Sequence, residues 1–170
     1  MIDLIFTIND KKEEKFLRRK TSSFNFAKHK KQDIKDLIIK MRNIMKKASG
    51  IGLSANQIGL DSRFFIAKVE NKFYTVFNPE IAKESKETAT EDEGCLSVPD
   101  LFGPVERAEK ITLTGSDANN KKIKIKAWGL LSRVFQHEID HLNGKLFIDK
   151  AKTLRKYENG HENTKKGSSL

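Results

Sequence analysis

The run His137-Glu138-Ile139-Asp140-His141 carries the strongest chemical signal in this chain. Two histidines at i and i+4 lie one turn apart on one helix face, so both rings can reach a single metal ion. Glu138 lies between them, where it can hydrogen-bond an attacking water and take its proton. The plain alternative is a helix with two unrelated histidines. Its surroundings weigh against that: Leu130, Leu131, Val134, Phe135, Ile139 and Leu142 make the segment largely apolar, and buried imidazoles need partners.

Two ligands do not complete a catalytic site, which normally has three protein ligands and one open position. In a metzincin protease the motif runs on to a glycine and a third histidine. Gly144 stands at the glycine's place, but Phe147 stands where the histidine belongs. A thermolysin-like protease would use a downstream glutamate, and only Glu158 and Glu162 follow, in or beside a polar tail. His29 sits in the basic run Lys28-His29-Lys30-Lys31 and His161 in the tail, so both read as solvated. Cys95, the single cysteine, remains, in Glu93-Gly94-Cys95-Leu96-Ser97. Gly94 lets backbone approach closely, and a thiol that binds a metal is deprotonated outright. Two histidines and Cys95 make three ligands with one position open. One cysteine also excludes an intrachain disulfide.

Positioning these groups takes a helix and strands. Apolar residues at helical spacing over residues 33–48 (Ile34, Leu37, Ile38, Met41, Ile44, Met45, Ala48) predict an amphipathic helix, with Gly50 as its stop. Residues 63–69 and 72–78 read as strands around a Glu70-Asn71 turn, and Asn78-Pro79 should end the second. Residues 81–91 read as an exposed strand or a loop. Residues 110–116 and 121–127 form a second expected hairpin, in which Ile123, Ile125 and Ala127 alternate with lysines. A buried helix follows from about residue 129, stopped by Asn143-Gly144, and then a short apolar piece at 146–148. The fold class is α+β, with antiparallel strands packed around a central helix that bears the two histidines. Residues 1–158 read as one domain and residues 159–170 as a disordered basic tail.

Three separated segments together resemble the signature motifs of the peptide deformylases. They are Gly50-Ile51-Gly52-Leu53-Ser54-Ala55-Asn56-Gln57, Glu93-Gly94-Cys95-Leu96-Ser97 and Gln136-His137-Glu138-Ile139-Asp140-His141. Asn78-Pro79 and Val105-Glu106-Arg107 are also similar, and the likeness runs from about residue 34 to 149. The resemblance implies a peptide deformylase-like fold and a metallo-hydrolase that removes the formyl group from formylmethionine on new polypeptides. It implies Cys95, His137 and His141 as metal ligands and Glu138 as general base and then proton donor to the leaving amine. The Gln57 side chain and the Leu96 N–H would stabilise the oxyanion. Gly50, Ile51, Gly52 and Gly94 would lie along an extended peptide, with Ile51, Leu130 and Val134 lining a pocket for methionine. Arg107 would help position substrate, the plain alternative being an exposed arginine at a strand start. The implied ion is Fe(II); zinc, nickel or cobalt suit the same donors. Two departures stand out. Ser54 replaces a frequent alanine, a small-for-small change expected to be harmless. The first 25 residues lack the family's usual Pro-Asp turn and carry extra charged residues at Lys11–Lys15.

The charge is uneven. Residues 1–48 hold 14 basic and 6 acidic side chains, residues 49–148 hold 13 and 14, and residues 149–170 hold 6 and 3. The basic flanks either solubilise the protein or attract a polyanion such as ribosomal RNA. No stretch approaches the roughly 18 apolar residues of a membrane span, and the first 20 residues carry no signal-peptide core. The expected setting is the cytoplasm, with formylmethionyl peptides and the ribosome as partners and neither membrane nor DNA. A general metalloprotease and a non-enzymatic RNA-binding protein are the rival readings.

Overall fold

In this computed structural model, residues 5–158 and 161–165 are described. Helix α1 is Lys11–Leu17, α2 is Lys31–Lys47 and α3 is Gly129–Leu142. The strands are β1 (Gly52–Ser54), β2 (Phe64–Val69), β3 (Lys72–Glu84), β4 (Thr88–Cys95), β5 (Val98–Ala108), β6 (Lys110–Ser116), β7 (Lys122–Trp128), β8 (Leu154–Glu158) and β9 (His161–Lys165). One antiparallel sheet runs β1-β2-β3-β6-β7, and a second runs β4-β5-β8-β9.

The first sheet is covered on both faces. Phe65, Ala67, Val76 and Leu113 pack with Val134, Phe135, Ile139 and Leu142 of α3. Phe64, Ile66 and Phe77 face the other way, onto Met41, Ile44 and Met45 of α2. This double burial explains why Phe64-Phe65-Ile66-Ala67 is a continuous apolar run, with no polar residue to mark an outer face. A third cluster, Val98, Val105, Leu146 and Phe147, lies beneath the second sheet. The apolar piece expected at 146–148 is thus an anchor, wound as a 3-10 turn at Phe147–Asp149.

The helix stops differ in instructive ways. After α3, Gly144 takes φ +73, and the Lys145 N–H returns to the Asp140 carbonyl at 2.9 Å. A side chain there would also meet the Arg18 carbonyl oxygen at 2.4 Å, so glycine is required twice over. After α2, the left-handed residue is Ser49 (φ 55), not Gly50; Gly50 is the next residue, and its N–H reaches the Met45 carbonyl at 2.9 Å.

Three expectations change. Asn78-Pro79 does not end β3, which continues to Glu84 through a register shift between Phe77 and Glu80. Asn78 tolerates φ 48, and its side-chain amide pairs with the backbone of Phe24, accepting at 2.7 Å and donating at 3.0 Å. The bulge thus accommodates a proline that has no N–H to give. The charged insertion near the N-terminus is α1, started by Asp10, whose carboxylate accepts the N–H groups of Lys12 and Glu13. Of the tail expected to be disordered, His161–Lys165 pairs with β8 as a strand; residues 159, 160 and 166–170 lie outside the described residues.

Candidate metal centre and peptide cleft

Helix α3 presents His137 and His141 one turn apart, and β4 delivers Cys95 to them at its last position, after a register shift at Gly94. One donor atom from each of Cys95, His137 and His141 lies within 4.8 Å of the others. Cys95 Sγ is 3.1 Å from His141 Nε2 and also accepts the Ser97 N–H at 3.4 Å. The donor set, one sulfur and two imidazoles, suits a borderline divalent ion such as Zn, Fe(II), Co or Ni. One feature of metal-ligating histidines is present at His137, whose Nδ1 faces Glu93 Oε2 at 2.9 Å, leaving Nε2 for an ion. The residues therefore fit the group that the motifs imply.

The electrostatics pair a thiolate with a protonated imidazole, whose proton an ion at Nε2 would displace. Burial alone would raise the Cys95 thiol, but His141 and His137 beside it bring it down to about 5, favouring the thiolate that binds metals. Burial works against a charged His137, but Cys95 and Glu93 push it up to about 10. Burial raises the Glu138 carboxyl above its ordinary range, against the pull of His137, His141 and Ser54. A buried carboxyl poised in this way is suited to taking up and returning a proton.

Glu138 is held from β1. Its Oε2 accepts the Ser54 hydroxyl at 2.7 Å, and its Oε1 lies against Gly52, where an added Cβ would meet it at 2.2 Å. Gln57 is oriented by β1 as well. Its Oε1 accepts the Ser54 N–H at 2.9 Å, which fixes the amide so that Nε2 points at Ser97 Oγ (3.1 Å) and Cys95 Sγ (3.8 Å). Asn56, in the same turn, donates to the His141 carbonyl at 2.7 Å and ties the first motif to the end of α3.

A cleft of about 550 Å³ opens over these groups. Cys95, His137, Glu138 and Gln57 line it, as do Leu96, Gly50, Ile51, Gly52, Gly94, Leu130 and Val134. His141 lies behind them, almost wholly buried. Ile51 and Leu130 are about half exposed, 49% and 50%, and form an apolar rim to the cleft. Among the described residues β1 is an edge strand, paired with β2 alone. The Ile51 carbonyl is already taken by the Lys68 N–H at 2.8 Å, so the alternation of an antiparallel strand turns Gly52, rather than Ile51, toward the open edge.

Arg107 departs from both expectations. It is neither exposed nor on the cleft: it is 3% exposed and forks onto Glu93 with two bonds of 2.8 Å, while Nη1 reaches Asp140 at 2.5 Å. Burial would lower Glu93's capacity to ionise, but Arg107 and His137 hold it far below the usual carboxylate range. Arg133 donates to the same carboxylate at 2.8 Å and to the carbonyls of Val105 and Ala89. Two arginines thus clamp the acid that aims His137. Sequence reasoning assigned Glu93 and Arg133 no role. Their signal was there, since Arg133, His137 and Asp140 follow i, i+4, i+7 and share one helix face.

The chain is similar to known proteins over most of its length. Residues 3–157 match the family model described as polypeptide deformylase. A peptide deformylase of Pelotomaculum thermopropionicum is 43% identical over 125 residues, covering 74% of this chain and 80% of its own. One from Carboxydothermus hydrogenoformans is 45% identical over 118 residues, covering 69% and 77%. The crystal structure of the Thermotoga maritima peptide deformylase superposes with a TM-score of 0.79 at 35% identity, over 86% of this chain and 95% of that one. With the family model spanning nearly all of α1 to β8, and with the Cys95, His137 and His141 donors clustered beside the cleft that Glu138 and Gln57 line, this chain belongs to the polypeptide deformylase family.

Proposed function

We propose that this enzyme hydrolyses the N-formyl group of formylmethionine on newly made polypeptides and releases formate. The observation that carries the reading is the cluster of Cys95, His137 and His141 donors, two of them lining one cleft with Glu138 and Gln57, beside a strand edge. A divalent ion held by Cys95, His137 and His141 would supply Lewis acidity toward the formyl oxygen and lower the pKa of water. Fe(II) is the ion we expect, with Zn, Ni and Co acceptable to the same donors.

The chain's own groups do the rest. The peptide lies along β1 as an added strand, with Gly52 offering backbone hydrogen bonds. The methionine side chain enters the apolar part of the cleft near Ile51, Leu130 and Val134. Glu138 takes a proton from the attacking water and returns it to the amine nitrogen as the C–N bond breaks. The Gln57 Nε2 and the Leu96 N–H donate to the carbonyl oxygen as it gains charge; one such donor is typically worth about 10²–10³ in rate. A formyl carbon bears only hydrogen, so a close-walled site can reject acetyl and larger groups by size. The basic residues 1–48 and 149–170 would hold the enzyme near ribosomal RNA in the cytoplasm.

The test is formate release from formyl-Met-Ala-Ser beside acetyl-Met-Ala-Ser, using protein prepared without oxygen. Formate from the first, with no acetate from the second, is the expected result. Hydrolysis of acetylated or internal peptides would point to a general metalloprotease instead. Ribosome binding is tested by cosedimentation at rising salt, where a contact carried by the basic flanks weakens steeply.

A further inference from the structure

Ser54 is wholly buried at the end of β1, and its hydroxyl has two acceptors within reach: Glu138 Oε2 at 2.7 Å and the Glu138 backbone oxygen at 3.0 Å. A hydroxyl has one hydrogen to give. The backbone oxygen sits inside α3, where the helical ladder already supplies it a donor four residues on. The carboxylate has no such supply. Among the described residues, Ser54 is the one group that hydrogen-bonds it, and a buried carboxylate without a donor is costly. The hydrogen therefore belongs on Oε2. On the other side, Oε1 is pressed against Gly52, whose missing side chain leaves it room.

We propose that Ser54 is a positioning residue for the general base. Its hydroxyl grips Oε2, sets the carboxylate plane against Gly52 and leaves Oε1 as the oxygen that exchanges the proton. In the reaction, Oε1 accepts a proton as the water oxygen bonds to the formyl carbon. The same proton passes to nitrogen as the C–N bond breaks. Glutamate has three rotatable bonds, and a proton-transfer group displaced by about 1 Å loses much of its effect. A small-for-small replacement at position 54 is therefore not neutral. This inference rests on the deformylase reading.

The experiment compares wild type, Ser54→Ala and Ser54→Thr in kcat and KM for formyl-Met-Ala-Ser, in bound-metal content and in melting temperature, with a crystal structure of Ser54→Ala. The expected result for Ser54→Ala is a kcat about tenfold lower, KM within twofold, full metal content, and a Glu138 carboxylate swung away from Gly52 or split between positions. Ser54→Thr, which keeps the hydroxyl, should recover most of the rate. If it melts low because the extra methyl does not fit, the alanine variant decides. A kcat within twofold of wild type, or a lower melting temperature with unchanged kinetics and an unmoved Glu138, would overturn the proposal. If wild type itself releases no formate, the deformylase reading has failed, and the Glu138 position in the alanine crystal still decides whether Ser54 holds it.

Discussion

Replacing Arg107 by methionine keeps the alkyl stem and removes the guanidinium. Three charge-assisted bonds disappear, at 2.8, 2.8 and 2.5 Å, and all three lie in the interior, with Arg107 and Glu93 side chains 1% and 5% exposed. Stripping one partner from a buried ion pair typically costs about 3–5 kcal/mol, because the other charge is left uncompensated. Here the loss is softened, since Arg133 still donates to Glu93 and Lys150 still reaches Asp140 at 2.7 Å. The lower figure, about 3 kcal/mol, is the better expectation. For a chain of this size that corresponds to a melting temperature lower by about 10 °C. Glu93 also aims His137, so metal retention should weaken by about 10–100-fold. The assay is thermal denaturation of metal-loaded protein, with KM for a formyl peptide measured at 25 °C on the fully loaded fraction. KM should stay within about twofold of wild type. A KM raised many-fold with the melting temperature intact would mean that Arg107 meets substrate after all, and would refute the buried-clamp reasoning.

Other perturbations follow from the same geometry. Gly52→Ala puts a Cβ where Glu138 Oε1 sits, 2.2 Å away, so kcat should fall about 100-fold or more while metal content is kept; near-normal kcat would show that the carboxylate works from elsewhere. Glu93→Gln loses the charge facing His137 and both arginines; competition with a chelator should show ion affinity about 10–100-fold weaker. Gly144→Ala meets the Arg18 carbonyl at a left-handed φ of +73; it should cost about 1–3 kcal/mol in denaturant titration with kcat unchanged.

The sequence was most legible where one residue type has few ways to be satisfied. An HExxH pair on an apolar helix and a lone cysteine after glycine have few explanations beside a metal, and α3 and β4 bring those residues together. Hairpins with alternating or bounded apolar runs were readable for the same reason: their turns and faces are local. What escaped depends on partners far along the chain. Asn78 continues a strand because Phe24 offers backbone to its amide. Arg107 looks like any strand arginine until Glu93 and Asp140 are folded against it. Ser54 passes for a harmless variant until Glu138, 84 residues later, is seen at its hydroxyl. The α1 segment reads as a charged insertion because only Leu17 in it is buried, leaving no apolar period to detect.

The central claim is that Glu138 carries the proton for a hydrolysis carried out at the Cys95, His137 and His141 site. The most direct measurement is formate release from formyl-Met-Ala-Ser by wild type and Glu138→Ala prepared without oxygen, with bound metal quantified in both. The expected result is equal metal content, formate from wild type, and release by the variant reduced by at least about 10²-fold, the usual worth of a general base. A fully metal-loaded variant that still releases formate at a comparable rate would contradict it.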